Sequence, residues 1–178
     1  MAKGANNVHE RLGNFHVYND NEVCLGVASV ELPELEGMSD TVSGAGIAGE
    51  LETPITGHFG SMTTTITWRT ITEDLAFLAD NSKTHALTMR GYNQVHDAAN
   101  GESKEVPVRV VMQVKPKNTS LGSFEVGATT DSECEFEVYS MKLFINNKEK
   151  IAVDKLNFVY RINGKDKLAG ARKALGMA

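Results

Sequence analysis

A mainly β domain, a sandwich or barrel with a short helix inserted after its second strand, is the fold class the sequence predicts, and three observations carry it. Met62, Thr64, Ile66 and Trp68 alternate with Thr63, Thr65 and Thr67, the period-two pattern of a strand with one apolar and one hydroxyl face. Val106, Val108, Val110, Met112 and Val114 place five apolar residues on one face of a second strand. Asn146-Asn147 and Asn163-Gly164 then supply turn chemistry, since Asn and Gly accept positive φ.

In chain order, residues 23–32 are β-branched and apolar and stop at Pro33, which predicts a strand. From residue 33 to about 60 glycine and proline density rises and periodicity fades. That reads as a long glycine-rich loop, uncommon in a compact domain unless it is functional or mobile. Ser61–Trp68 is the strand above. Thr70-Ile71-Thr72-Glu73 has the form of a capping box. With Ile71, Leu75 and Leu78 at helical spacing, it predicts a short one-faced helix over 70–80. Strands are expected at Thr84–Tyr92, Glu105–Lys115, Ser120–Ala128, Glu133–Ile145 and Ile151–Ile162, with polar Asp97–Lys104 as a connection. Residues 165–176 have weak helical character. No repeat, low-complexity tract or linker divides the sequence, so a single domain over 1–178 is expected.

At 178 residues the chain is long enough to bury a proper core. Its net charge of −5 speaks against a general nucleic-acid clamp, which needs a cationic surface. No apolar run approaches the length of a bilayer span. The amino terminus has no apolar leader, so synthesis in the cytoplasm without export by the usual route is expected. Cys24 and Cys134 lie far apart and read as buried, inert thiols. The five histidines are scattered, and His9-Glu10 is followed by Gly13 where a zinc helix requires a second His. No metal, cofactor or catalytic grouping is expected.

Gly44, Gly46 and Gly49 spell the dinucleotide fingerprint G-x-G-x-x-G. The fingerprint functions only where the loop opens a helix whose amides hold a pyrophosphate. Here Pro54 and Gly57 break any such helix, and Glu50 and Glu52 place negative charge where phosphate would sit. A hinged loop carrying carboxylates is the reading that remains.

Asp131, Glu133, Glu135 and Glu137 alternate with Cys134, Phe136 and Val138. A strand there shows carboxylates on one face and apolar groups on the other. Neighbours along one strand form a row rather than the convergent pair a glycosidase uses. The row is a solvated strand face or an acidic surface with a purpose. Lys165, Lys167, Arg172 and Lys173 form a basic carboxy-terminal segment. They read as a solvated helix end, or as a contact for an acidic neighbour such as a second copy of the chain.

Three segments together resemble the major tail tube proteins of contractile-tailed phages and related tailocins. They are Tyr18–Leu35, with Gly26-Val27-Ala28 running through Val30 to Leu32-Pro33-Glu34-Leu35; the Gly44–Gly49 loop followed by the strand ending at Trp68; and Leu143–Leu175, with Ile145-Asn146-Asn147-Lys148-Glu149 and Ile162-Asn163-Gly164-Lys165-Asp166. The match leaves residues 84–130 outside it.

The resemblance implies a β-sandwich or barrel-like subunit with a flanking helix and a carboxy-terminal helical segment. Six copies would form a ring that closes a continuous inner β-barrel, and rings would stack into a tube inside a sheath. It implies no catalysis and no cofactor. Implied partners are further copies of the chain and the tail sheath, tape-measure, baseplate and terminator proteins. DNA would cross the lumen without specific binding if the particle is a phage, and the chain would reside in a virion tail or tailocin assembled in the bacterial host cytoplasm.

On that footing Glu133, Glu135 and Glu137 are expected to face the lumen, where acidic groups repel phosphates. The outer wall, against a basic sheath surface, is the rival placement. Gly44, Gly46, Gly49, Glu50 and Glu52 are expected in ring-to-ring contact, and Lys165, Lys167, Arg172 and Lys173 in a basic inter-subunit contact. The alternative from another class is a monomeric β-sandwich module for carbohydrate or another ligand, which would need exposed aromatics. An enzyme comes third.

Overall fold

Twelve strands and two short helices make up the fold in the computed structural model, which describes residues 7–20, 22–99 and 101–177. Residues 1–6, on which the expectation about a leader falls, lie outside the described residues.

Four long strands form the main wall. β1 (Asn7–Asn19) pairs antiparallel with β7 (His85–Asp97), β7 with β8 (Glu102–Ser120), and β8 with β9 (Ser132–Ile145). The outer edge of β9 is shared. Its first half pairs with β6 (Thr63–Trp68), which in turn pairs with β3 (Val27–Glu31); its second half pairs with β10 (Lys148–Asp154). Beyond β10 come β11 (Val159–Ile162) and β12 (Lys165–Asp166). A register shift, opposite Gln113-Val114 on β8, separates the two halves of β9, as a bulge does where a strand must bend between partners.

This bending curls the wall back on itself. Val30 and Leu32, at the far end of the β3 side, share a cavity with Leu12 and Phe15 of β1 and Val108 and Val110 of β8. The result is a nearly closed barrel around one core. Trp68, Phe136, Met62, Ile66, Leu87, Met112 and Val114 are fully buried there. Each such side chain contributes roughly 1.5–3 kcal/mol through burial. The apolar faces expected of residues 62–68 and, from Val110 onward, of 106–114 point inward, and Cys134, Phe136 and Val138 join them.

Several elements differ from the sequence expectation, each for a local reason. β1 was not anticipated, since its first eight residues are exposed on both faces and show no alternation. The strand expected over 23–32 is interrupted: β2 (Glu22–Val23) and β3 flank a turn with Gly26 at φ 76°. The helix α1 (Glu73–Leu78) is capped by Thr72, whose hydroxyl accepts from Leu75 N–H at 3.3 Å, and not by Thr70. Leu75 and Leu78 are buried, whereas Ile71 lies before the helix and is exposed.

The separate strand expected at 120–128 does not form: Ser120 ends β8. Beyond β8, residues 121–131 make a loop tied down by Ser123 N–H to Thr130 C=O and Thr130 N–H to Arg69 C=O. That loop leaves Phe124 89% exposed. The strand expected over 151–162 is broken by a turn in which the Asp154 carboxylate accepts from the N–H groups of Leu156 and Asn157. Asn146 and Asn147 adopt φ 51° and 58° as the hairpin turn requires. The carboxy-terminal helix is shorter than 165–176: Lys165 and Asp166 form β12, and α2 covers Ala169–Ala174.

Candidate functional site

The glycine-rich segment is not an irregular loop. β4 (Gly37–Val42) and β5 (Leu51–Phe59) pair antiparallel into a two-stranded arm whose tip, residues 43–50, carries Gly44, Gly46 and Gly49. Their φ values of 147°, 93° and 132° keep the tip irregular. The alternation that normally betrays a strand is missing because neither face of the arm meets a core. Every residue from Glu36 to Thr56 is exposed, including Met38, Val42, Ile47, Leu51 and Ile55. An isolated hairpin is marginal by itself, and this one bears apolar side chains along its length. Glu50 and Glu52 lie at the tip end, where the Ser39 hydroxyl donates to the Glu52 carboxylate.

The root of the arm is held firmly. Gly57 packs on Leu168, the His58 ring sits edge-on to Phe158 at 5.6 Å, and Phe59 sits edge-on to Tyr160 at 5.1 Å. β11, β12 and the start of α2 thus form the seat from which the arm projects.

Glu133, Glu135 and Glu137 share the side of β9 facing away from the core, beside the hydroxyl face of β6: Thr67, Thr65 and Thr63 are their respective partners. Asp131 is not part of the row. It precedes the strand with φ 51°. Nor is the row a plain sheet of negative charge. Lys117 pairs with Glu135 and Lys155 with Glu137, both at 3.2 Å. Burial alone would raise the Glu137 carboxyl; hydrogen bonds from the Ser61 hydroxyl and Lys155, with the Lys155 charge, outweigh it and hold the group below its ordinary range. Elsewhere on the outward side of the wall, Arg109 stacks over Phe144 at 4.3 Å and Arg90 over Tyr18 at 5.1 Å. These cations come from β7 and β8, so only the sheet register brings them onto the same wall as the acidic row.

The four basic residues separate into two kinds. Lys165, Lys167 and Lys173 are exposed and make no ion pair among the described residues. Arg172 is used within the chain: its guanidinium binds the Asp166 carboxylate at 2.5 Å and donates to the Phe158 carbonyl at 2.9 Å. The hydrogen bond from Arg172, together with that from the Leu168 N–H and the Arg charges nearby, lowers the Asp166 carboxyl. Glu149 is lowered likewise, chiefly by its two hydrogen bonds from Arg161.

Among the described residues no group of His, Cys, Asp and Glu is placed to hold a metal ion. Cys24 and Cys134 are buried and unpaired. The Trp68 indole is fully buried, so it provides no platform for a sugar ring.

The fold combines a barrel-like β wall with a projecting, solvent-exposed arm. The family described as phage tail tube protein FII matches residues 9–176. The tail tube protein of Escherichia phage P2 is 25% identical over 162 residues, spanning 85% of this chain and 88% of that protein. Among solved structures, the sheath/tube terminator of an extracellular contractile injection system (PVC, extended state) superposes with TM-score 0.52 at 15% identity, over 78% of this chain and 96% of its own. The chain belongs to the phage tail tube protein FII family and is a structural tail tube subunit. The family is a structural one, which speaks for a non-enzymatic role. Its place is a phage tail or tailocin particle, and the monomeric binding module is not favoured.

Proposed function

We propose that this subunit polymerises as stacked rings of six copies, forming the inner tube of a contractile tail that conducts a genome or pierces a membrane. The observation behind it is the outer edge of β1. Only Tyr18 and Asn19 pair with β2, and Cys24 N–H bonds Val17 C=O, so among the described residues Asn7–His16 present an unpaired strand edge. Glu102–Val106 of β8 likewise have a partner on one side only. Two such edges on one long wall favour pairing between copies, and a rotation that closes removes both at once.

In that arrangement the wall face bearing Glu133, Glu135 and Glu137 lines the channel, where negative charge keeps nucleic acid moving. The Gly44–Gly49 tip with Glu50 and Glu52 makes the ring-to-ring contact. Lys165, Lys167 and Lys173 meet an acidic neighbour, with Arg172 bracing the seat behind them. Sheath, tape-measure, baseplate and terminator proteins are the other partners, and the tube is assembled in the host cytoplasm.

Negative-stain electron microscopy of the concentrated chain, with its mass in solution, tests the reading. Hollow tubes or stacked rings with sixfold end views are expected. A chain that stays monomeric even when a baseplate nucleus is supplied would overturn it. A density map with the three glutamates on the outer surface would overturn the lumen placement alone.

A further inference from the structure

The arginines at the carboxy-terminal end of the chain are matched to carboxylates: Arg161 to Glu149 and Arg172 to Asp166. Those on the wall are not. Arg90 of β7 and Arg109 of β8 make no ion pair among the described residues, although they stand directly opposite each other in the β7–β8 ladder. His16 of β1 is the partner of Arg90 on its other side. The register thus lays His16, Arg90 and Arg109 in one row across three strands.

Like charges directly opposite each other destabilise a sheet, and no neighbouring carboxylate relieves this pair. The flanking row on one side is Asn14, Tyr92 and Pro107. On the other side it is Tyr18, Thr88, Val111 and the exposed Lys142. Glu149, opposite Phe144 at the end of the arginine row, is held by Arg161. Glu137 lies back along β9 from Phe144, roughly 20 Å away at the usual rise per residue. That exceeds the screening length of about 8 Å at physiological salt.

Aromatic rings set both guanidinium groups instead. Arg109 lies over Phe144 at 4.3 Å and Arg90 over Tyr18 at 5.1 Å. Stacking fixes the plane of a guanidinium and leaves its N–H edge free to donate. The Arg109 Nε atom is buried and finds no acceptor among the described residues. Beside the row, Asn14, His16, Arg90 and Tyr92 line a shallow depression of about 270 Å³. Tyr92 is 40% exposed, and its ring lies against β1 where a β-carbon on Gly13 would run into it.

We infer that this row is a binding site for the phosphate backbone of single-stranded nucleic acid. Arg90 and Arg109 donate to phosphate oxygens, His16 and Lys142 flank them, and a base stacks on Tyr92. Two planar N–H forks match phosphate geometry, and a cationic track beside an exposed ring holds single strands of any sequence. The site is complete within one chain, so it goes beyond the tube reading and stands or falls apart from it. Where that reading also holds, the channel wall carries a band that retains phosphate and, at Glu133, Glu135 and Glu137, a band that repels it.

Fluorescence anisotropy of a labelled oligothymidine tests the site, with the chain dilute enough for its mass in solution to be that of one copy. Binding at low salt is expected, weakening as salt rises. Arg90→Gln and Arg109→Gln should each weaken it about three- to tenfold and lower the salt slope by about one. Tyr92→Ala should weaken it at least about fivefold with the salt slope unchanged, one stacked base being lost. Lys83→Gln, which removes a charge already paired with Asp80, should change nothing. Circular dichroism melts confirm that every variant is folded.

A wild-type chain that does not bind at low salt would overturn the site, as would folded arginine variants that bind as tightly as the wild type. Pyrophosphate that binds as tightly as the oligonucleotide, with Tyr92→Ala silent, would make this a free-phosphate site and overturn the nucleic-acid assignment. Tubes formed by a chain that does not bind would discard the site and keep the tube. Binding by a chain that never polymerises would keep the site and discard the tube.

Discussion

Gly57 and Leu168 are packed so closely that a β-carbon on Gly57 would lie 2.6 Å from the Leu168 Cδ1 atom. Gly57 also has φ 76°, where a side chain is strained. Leu168 is 4% exposed. The pair is the joint between arm and seat: a glycine at the root of β5 lets the buried residue that begins α2 press against the backbone. Gly57→Ala combines steric conflict with backbone strain and is expected to destabilise the fold by about 1–3 kcal/mol. A Leu168→Ala variant leaves a cavity at the same joint and costs a similar or larger amount, about 2–4 kcal/mol. Denaturant unfolding of both variants checks this, and a Gly57→Ala midpoint equal to wild type would show that the joint yields.

Gly46 is the opposite case. Its φ is 93°, yet a β-carbon there meets nothing within 4 Å. Gly46→Val therefore strains only the tip, by about 1–2 kcal/mol. The barrel melt is expected to stay where it is while polymerisation falls. Normal tubes from a folded Gly46→Val chain would remove the tip from the ring-to-ring contact.

Acid should loosen the carboxy-terminal seat. Asp166 and Glu149 have folded values below their ordinary 3.8 and 4.5 because Arg172 and Arg161 donate to them. A depressed carboxylate stabilises the folded state above its unfolded value, and that stability is lost as pH falls through the folded value. Melting temperature is thus expected to be flat from neutrality to about pH 5 and to drop below pH 4. Glu149→Gln should flatten part of that drop. A wild-type acid limb identical to that of the Gln variant would show that the Arg161 pair contributes nothing measurable.

The thiols should be inert in the folded chain. Burial, with the Asp74 charge, pushes Cys24 up to about 11, and burial raises Cys134. Thiolate is the reactive species, so iodoacetamide at pH 8 is expected to leave both unmodified until the protein unfolds. Native-state labelling of either one, read by mass spectrometry, would mean the barrel opens locally at that strand.

Much of the barrel wall could be read from the residues because its strands are half buried. Residues 62–68 and 133–138 put apolar groups on a core face and polar groups on the other, and Val110, Met112 and Val114 share one core face, so burial prints its period on the chain. The tight turns at Asn146-Asn147 and Asn163-Gly164 could be read for a similar local reason, since a positive φ restricts which residues fit. The resemblance to tail tube proteins drew on those same local features and on their order.

What sequence could not decide was whatever lacks a core to alternate against or depends on distant neighbours. The arm reads as a loop because both its faces are exposed, and β1 escapes notice for the same reason along its outer half. The acidic row is visible in sequence, but its pairing with Lys117 and Lys155 is not, because those residues lie 18 positions away on either side. Arg172 looks as free as Lys173, and only its ion pair with Asp166 of β12 commits it to its own chain. Alternation and turn chemistry are local and survive in the bare sequence. Register, edge pairing and charge neutralisation are long-range, and they came into being only when the wall curled and the strands found their neighbours.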